Sequence, residues 1–271
     1  MDGVKTRSYH YVPCGKCFAC RNRIQNDWLW RLQYEHEHCK QSLFITLTYD
    51  EEHVPFKMQE DGTFCLCANK KHVQDYLKRL RKHIPPQSLR YYIVSEYGET
   101  FGRPHYHGLL FNNSDIDIVP YIDKDWPFGF TRTDITCTER MLYVTGYVLK
   151  ECPVPDGADP PWCLSSKNPA IGLGYMTEAQ EDYHNGRPYL MHRNGRKQVM
   201  PVYYQRKFGF AKTETPRFDK EERQYIKMHP EAVYIGADGN QYLSNDFYIW
   251  RNARIKAKEE NRARHKKKRI L

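Results

Sequence analysis

The sequence predicts an α+β protein in which helices flank a central antiparallel sheet. Two strand-like runs, residues 90–97 and 105–111, are joined by a glycine- and proline-containing turn and predict a hairpin in that sheet. The alternating run SLFITLTYD, residues 42–50, predicts a strand beside the second run. A helical pattern lies between this strand and the hairpin, which gives the split βαβ order of ferredoxin-like folds.

The first element along the chain is an amphipathic helix predicted over residues 21–39. Ile24, Trp28 and Leu32 recur every four residues and mark the face that packs on the sheet. We expect the basic side chains of this helix to remain available to nucleic acid: Arg21, Arg23 and Arg31. The strand over residues 42–50 follows, and its Thr46 and Thr48 are either ordinary strand residues or donors to phosphate oxygens.

The next elements lead into and out of the hairpin. Residues 51–68 predict a loop or small hairpin that turns at Asp61-Gly62, and Asn69 then caps a helix whose apolar residues step by four, three and four. After the central hairpin, residues 126–135 predict another strand. It feeds a helix over residues 139–150, for which Thr138 is the predicted N-cap.

Side-chain alternation on the hairpin indicates a metal site. His105 and His107 share one face of the second strand, and antiparallel pairing brings Glu96 of the first strand beside them. Two imidazoles and a carboxylate suit a divalent metal with positions open to substrate oxygens. A His-x-His pair is equally the pattern of two half-exposed strand histidines without a ligand, so the motif alone leaves both interpretations open.

The helix over residues 139–150 carries two phenols on one face. Tyr143 and Tyr147 are four residues apart, and Lys150 follows three residues later. Gly146 costs a helix about 1 kcal/mol relative to alanine, which indicates a close approach of another backbone or a ligand. The tyrosines alone would fit a packed aromatic stripe. With the histidines, they predict a phosphoryl-transfer site in which a metal or Lys150 favours the phenolate over the phenol, whose pKa is ordinarily about 10.

Several motifs resemble those of known replication proteins. PHYHGLLF followed by YVTGYVLK resembles motifs two and three of HUH-type rolling-circle replication initiators, and the paired tyrosines resemble their two-tyrosine class. A closer resemblance is to the replication initiators of gokushoviruses, within the Microviridae. It extends to PCGKCFACR, FITLTYD, NPAIGLGY at residues 168–175 and MPVYYQRK at residues 200–207.

The resemblance implies an HUH endonuclease fold and a function in rolling-circle replication. His105, His107 and Glu96 would bind a divalent metal, Mg²⁺ or Mn²⁺, and Tyr147 and Tyr143 would be nucleophiles with Lys150 as their basic partner. The substrate would be single-stranded DNA at a replication origin, cut to leave a 5′-phosphotyrosine and later rejoined. A host DNA polymerase and helicase would be partners, and the protein would act in the host cell cytoplasm.

Two other functions fit parts of the pattern. An HUH transposase or relaxase would share the chemistry but act on transposon ends or a transfer origin. A zinc-stabilised nucleic-acid-binding protein without enzymatic activity would use the cysteines and basic residues instead, with His105 and His107 only structural. No Walker-type motif indicates a built-in helicase motor.

Charge and cysteine content add two expectations. The 271 residues include 42 basic and 33 acidic side chains, for a net charge of +9. Residues 251–269 hold ten of the basic residues and two glutamates, a local charge of +8, so this basic tail predicts binding to phosphate backbones or a solubilising segment. Cys14, Cys17 and Cys20 have the spacing of a structural zinc site without an evident fourth ligand, and free thiols are the alternative.

The domain organisation follows from these segments. Residues 1–150 are the predicted HUH catalytic core with its N-terminal cysteine-rich segment and helix. Residues 151–250 are a predicted extension packed on the core, with a loop over residues 151–169, a hairpin over residues 189–204 and a second turn at Asp238-Gly239. Residues 251–271 form the basic C-terminal tail. No run of apolar residues is long enough to predict a membrane span, and no secretory signal is expected.

Overall fold

The computed structural model describes residues 17–147, 154–185, 187, 189–191, 195, 197–210, 220–236 and 241–268. The chain divides into two compact units. One is Arg23–Gly209, and the other combines Met1–Asn22 with Phe210–Leu271. Within the described ranges, no helix is both long enough and apolar enough to cross a membrane.

Helices and strands alternate through the first two hundred residues. The helices are α1 (Phe18–His38), α2 (Lys70–Arg81), α3 (Val119–Lys124), α4 (Thr138–Gly146), α5 (Glu178–His184) and α6 (Val202–Lys207). The strands are β1 (Gln41–Leu47), β2 (Phe56–Met58), β3 (Phe64–Leu66), β4 (Leu89–Tyr97), β5 (Pro104–Asn112), β6 (Thr131–Ile135), β7 (Cys163–Ser165), β8 (Tyr189–Met191) and β9 (Lys197–Val199).

The central sheet has five antiparallel strands in the order β6-β1-β5-β4-β7. β1 and β4 therefore run parallel to each other with β5 between them, and α2 connects them. β5 and β6 are related in the same way across β1, with α3 in their connection. These two interlocked βαβ units confirm the predicted ferredoxin-like, split βαβ architecture. β7 adds a fifth strand at one edge.

Each face of the sheet packs against its own pair of helices. One core contains Ile45 and Ile93 of the sheet with α2 and α3, and Trp126 lies in it. The opposite core contains Phe44 and Leu109 with α1 and α4. Since successive strand residues point to opposite faces, this division fixes which side chains of β4 and β5 meet α4.

Most of the predicted elements of this unit are present. The small hairpin β2–β3 turns through Gly62, and the Asn69 side chain accepts hydrogen bonds from the backbone N–H groups of Lys71 and His72 at the start of α2. Asn69 is therefore the N-cap that the sequence predicts.

The strand expected over residues 126–135 is confirmed only from Thr131 onward. Gly129 has a φ of 150°, and a β-carbon there would lie 2.4 Å from the backbone nitrogen of Asp50. This close approach interrupts the ladder before β6. Trp126 instead turns into the core, where its indole N–H donates to the backbone oxygen of Thr48 at 2.8 Å.

Two helix predictions were wrong in detail. Thr138 is the first residue of α4, and the N-cap is Cys137, whose side chain makes no capping hydrogen bond. The segment expected to continue as a strand to Tyr204 leaves β9 at Val199. Pro201 then precedes α6, since proline favours helix starts and cannot donate to a strand ladder.

Arg31 of α1 was expected to be available to nucleic acid but is buried. Its Nε donates to the backbone oxygen of Ile171 at 3.0 Å, and its guanidinium lies 4.3 Å and 4.1 Å from the ring centroids of Trp28 and Tyr203. The side chain is thus a structural clamp between α1 and residues more than a hundred positions later.

The second unit contains a strand pair and two described helices. They are α7 (Lys220–Met228), β10 (Val233–Ile235), β11 (Gln241–Leu243) and α8 (Asn245–Lys268). β10 and β11 are antiparallel on either side of the predicted turn at residues 238–239, which lies outside the described residues. Most of the basic run is therefore helical, and Arg254 and Lys258 pair with Glu221 of α7 at 3.2 Å and 3.0 Å.

Candidate functional site

The pairing of β4 with β5 assembles a cluster of three possible metal ligands. Glu96 lies directly opposite His105, and Val94 lies opposite His107, so the three polar side chains share one face. Glu96 Oε2 is 3.2 Å from His105 Nε2 and 3.4 Å from His107 Nε2. One ligand atom from each residue falls within 4.8 Å of the other two. The group that the sequence predicts is therefore close enough to hold one metal ion.

The remaining ring nitrogens of both histidines are held by neighbours. His105 Nδ1 donates to the backbone oxygen of Arg103 at 3.2 Å, which leaves its Nε2 as the nitrogen with a free electron pair. His107 Nδ1 is 3.0 Å from Thr46 Oγ1, across the β1–β5 pair. Such contacts orient imidazole ligands and fix their tautomers in metal sites.

The carboxyl group of Glu96 is mostly buried and ionised. Burial raises its pKa, but hydrogen bonds with His105, His107 and Tyr147 lower the pKa by more, so the net pKa is well below its usual range. A carboxylate and two neutral imidazoles form a donor set suited to a divalent cation. The chemistry of these residues thus fits a metal of the predicted kind.

Helix α4 places the two tyrosines over this cluster. Met141 and Val144 pack into the core, and the residues between and beyond them face β4 and β5. The Tyr143 hydroxyl donates to Glu96 Oε2 at 3.2 Å and lies 3.3 Å from His107 Nε2. The Tyr147 ring is nearly parallel to the His107 ring, with a centroid separation of 6.2 Å. Both phenols therefore adjoin the candidate ligands.

The two phenols differ in exposure. The side chain of Tyr143 is exposed, whereas the Tyr147 hydroxyl is buried. Burial and then the hydrogen bond with Glu96 raise the pKa of Tyr147 far above its usual range. Tyr147 is thus a neutral phenol at physiological pH, and its activation needs a nearby cation.

Two predicted site residues lie outside the described residues: Lys150 and Cys14. The zinc prediction at Cys14, Cys17 and Cys20 gains no support. Cys17 immediately precedes α1 and Cys20 lies within it. Within the described ranges, the cluster of Glu96, His105 and His107 is the group of three ligand residues close enough for a metal.

Sequence reasoning missed two contributors to the site. Thr46 was weighed as a phosphate donor or an ordinary strand residue, yet it contacts His107. Phe44, two residues earlier on the same face, lies 5.8 Å from the His107 ring and 6.4 Å from the Tyr143 ring. The available signal was the register of β1 against β5, because residue 46 falls opposite residue 107.

Comparison with known proteins gives one family and several phage relatives. Residues 42–152 match the replication-associated protein ORF2 family, and this range contains every described residue of the cluster and both tyrosines. Replication-associated protein VP4 of Bdellovibrio phage phiMH2K is 27% identical over 216 residues, which are 71% of this chain and 66% of that protein.

Two further relatives are similar over more of the chain. Replication-associated protein ORF4 of Chlamydia phage 1 is 22% identical over 90% of this chain and 65% of its own length, and Replication-associated protein ORF2 of Spiroplasma virus 4 is 28% identical over 82% and 73%. The chain thus spans about two thirds of the length of the first two relatives. A solved structure, the hypothetical protein ORF119 of Sulfolobus islandicus rod-shaped virus 1, aligns over 46% of this chain and 96% of its own length at 19% identity, with a TM-score of 0.30.

Proposed function

We propose that this protein, whose resemblance to phage replication initiators the comparisons support, starts rolling-circle replication by nicking single-stranded origin DNA. The observation that carries the proposal is the contact between a tyrosine and the ligand cluster, in which the Tyr143 hydroxyl donates to Glu96 at 3.2 Å. A phenol beside a metal-binding group is the arrangement that covalent phosphoryl transfer requires, because attack and charge stabilisation must occur at the same phosphate.

The metal would be held by Glu96, His105 and His107. A bound Mg²⁺ or Mn²⁺ would polarise the scissile phosphodiester and withdraw charge from its transition state. The sheet holds the three ligands in place, since Thr46 and the Arg103 carbonyl oxygen fix the histidine rings. This preorganisation is favourable because little rearrangement is needed when the substrate arrives.

Tyr147 is the proposed first nucleophile, with Lys150 as its basic partner. Its oxygen forms a bond to phosphorus, the bond from phosphorus to the 3′ oxygen breaks, and the phenolic proton is balanced by the proton that the 3′ oxygen gains. The products are a 5′-phosphotyrosine and a free 3′-hydroxyl. A host DNA polymerase extends this hydroxyl while a host helicase separates the strands, in the host cell cytoplasm.

Tyr143 is the proposed second nucleophile. Its ring centroid is 5.0 Å from that of Tyr147, and both phenols adjoin the same cluster. After one circuit of synthesis, Tyr143 cuts the regenerated origin, and the released 3′-hydroxyl attacks the first phosphotyrosine to close a circle. The energy of the phosphodiester stays in the covalent link, so rejoining needs no nucleotide cofactor.

The test is an incubation of the full chain with a labelled library of single-stranded origin sequences, in Mn²⁺, in Mg²⁺ and in chelator. Denaturing electrophoresis then detects a protein–DNA adduct. We expect a metal-dependent adduct that disappears when Tyr143 and Tyr147 are both replaced by phenylalanine. If sequences bind but no adduct forms with any metal, the enzymatic proposal fails in favour of simple DNA binding. The sequence cleaved also separates a replication origin from the transposon ends or transfer origins of other HUH enzymes.

A further inference from the structure

A second cleft lies away from the tyrosines, between the end of α2 and the edge of β4. Its volume is about 520 Å³, within the range of roughly 300–1,000 Å³ that is typical of small-molecule sites. The polar and aromatic side chains that line it come from three segments: Arg81, Gln87, Tyr91, Ser166, Lys167 and Asn168. Nothing in the proposed nicking reaction uses these residues.

The cleft is separate from the candidate metal cluster. Tyr91 precedes Glu96 by five residues on β4, which corresponds to about 17 Å along a strand at roughly 3.3 Å per residue. The odd spacing also directs the two side chains to opposite faces of the sheet. Tyr91 packs against the core formed by α2, whereas Glu96 faces α4.

The charge of the cleft is positive. Arg81 and Lys167 line it, and none of the lining residues carries a carboxylate. Neither cation forms an ion pair with any residue that the structure describes, whereas nearby Lys71 and Lys78 of α2 both pair with Asp75. Two cations in a concave site without a counter-charge attract an anion.

The remaining lining residues suit an aromatic group with polar edges. The Arg81 guanidinium lies 5.2 Å from the centroid of the Tyr91 ring, so the two form a flat wall on which a base can stack. Gln87 and Asn168 offer amide donors and acceptors. Gln87 also has a φ of 63°, a left-handed conformation that costs a non-glycine residue energy and that recurs at functional sites.

The two sides of the cleft are tied together. The Ser166 Oγ accepts a hydrogen bond from the Tyr91 backbone N–H at 3.0 Å, and the Ser166 N–H donates to the Tyr91 carbonyl oxygen at 3.0 Å. Lys167 pairs with Ala170 in an isolated β-bridge. The start of the NPAIGLGY motif is thus held against β4, with Lys167 and Asn168 positioned before any ligand arrives.

We propose that this cleft binds a nucleoside phosphate, with the phosphate held by Arg81 and Lys167 and the base against the Arg81–Tyr91 wall. The same chemistry is presented by a free nucleotide and by one nucleotide of a DNA strand. In the second case, the cleft gives the protein a DNA contact remote from the tyrosines and on the other face of the sheet. The inference does not depend on the proposed nicking activity.

The test compares the full chain with the double variant Arg81→Gln, Lys167→Gln in chelator, so that metal-dependent chemistry is silent. The control is Lys82→Gln, which removes one exposed positive charge beside Arg81 but outside the cleft. Calorimetry with dAMP and with inorganic phosphate measures the free ligands, and fluorescence anisotropy with a labelled 20-nucleotide oligo(dT) measures the strand. Thermal unfolding of all variants checks that they fold alike.

We expect the double variant to bind a nucleotide-containing probe at least tenfold more weakly, with Lys82→Gln within twofold of the wild type. Loss of dAMP binding identifies a free nucleotide as the ligand. Loss confined to the oligonucleotide identifies a strand, and the slope of log affinity against log salt then falls by about 0.7 for each lost phosphate contact. Unchanged binding of both probes overturns the proposal. Equal affinity for dAMP and inorganic phosphate, without oligonucleotide loss, overturns the assignment of a nucleoside.

Discussion

Thr46 Oγ1 lies 3.0 Å from His107 Nδ1, across the pair of strands β1 and β5. The other nitrogen of the same ring is 3.4 Å from Glu96 Oε2. A single imidazole is thus held from one side by a hydroxyl and presents its other side to the candidate metal position. This relationship makes β1 part of the site, although its threonine is not itself a ligand.

Replacement of Thr46 by valine is expected to weaken metal binding while keeping the strand intact. Valine has nearly the same shape but cannot hydrogen-bond to His107, and the loss of such a supporting contact typically costs about 10–100-fold in metal affinity. Calorimetric titration with Mn²⁺ measures the change. Thr48→Val is the matched control, because its hydroxyl donates to the Phe130 carbonyl oxygen away from the cluster. Equal affinities of Thr46→Val and Thr48→Val would show that the contact does not orient a ligand.

Metal binding should stabilise the fold through His107. A ligand present at 100 times its dissociation constant stabilises a protein by about 2.7 kcal/mol, which for a chain of this size corresponds to several degrees in Tm. Mn²⁺ should therefore raise the Tm of the wild type and of His53→Ala, whose histidine is exposed and paired with Asp50. It should leave the Tm of His107→Ala unchanged in differential scanning calorimetry. A metal-induced shift that survives in His107→Ala would place the ion elsewhere.

The two tyrosines should separate by the step at which each is needed. Tyr147→Phe is expected to abolish the first adduct on an origin oligonucleotide, a loss of at least 100-fold, because phenylalanine has no nucleophilic oxygen. Tyr143→Phe should retain that adduct but fail to release closed circles. Tyr183→Phe removes a comparably exposed hydroxyl outside the site and should behave as the wild type. An adduct retained in Tyr147→Phe and lost in Tyr143→Phe would reverse the order of the two nucleophiles.

Local patterns in the sequence were sufficient to predict the centre of the site. Alternation along β4 and β5 predicts that Glu96, His105 and His107 share a face, and a short antiparallel hairpin leaves few registers that bring them together. The cap at Asn69 and the apolar spacing of α2 are similarly local. These features depend on contacts between residues that are near in sequence, which is why a pattern reveals them.

Features that depend on distant contacts could not be predicted in the same way. Arg31 is buried because Ile171 and Tyr203, far along the chain, supply its acceptor and its aromatic partner. β7 joins the sheet from a proline-rich segment with no strand period, since its place is fixed by pairing with Tyr92–Val94. The interruption at Gly129 likewise arises from the approach of another strand. Tertiary contacts override local propensity at each of these positions.

A buried ion pair links α1, β4 and the NPAIGLGY segment, and it predicts a large effect on stability. Glu35 pairs with Arg90, and its other carboxylate oxygen accepts a hydrogen bond from the Gly172 N–H at 2.7 Å. The Glu35 side chain is only 3% exposed. Glu35→Ala should lower the free energy of unfolding by about 3–5 kcal/mol, because it leaves the Arg90 charge and the Gly172 N–H without an acceptor in a dry environment.

The matched control is a glutamate–arginine pair at the surface, Glu51 with Arg103 at 2.5 Å, in which the Glu51 side chain is 87% exposed. Glu51→Ala should cost about 0–1 kcal/mol, since water screens an exposed pair and solvates the arginine that remains. Urea unfolding followed by tryptophan fluorescence measures both variants, with Trp28 reporting on the core beside α1 through its contact with Tyr92. Similar losses in the two variants would mean that burial does not set the strength of the Glu35 contacts. A loss confined to Glu35→Ala would show that the ion pair holds α1 and the NPAIGLGY segment against the sheet that carries the candidate metal ligands.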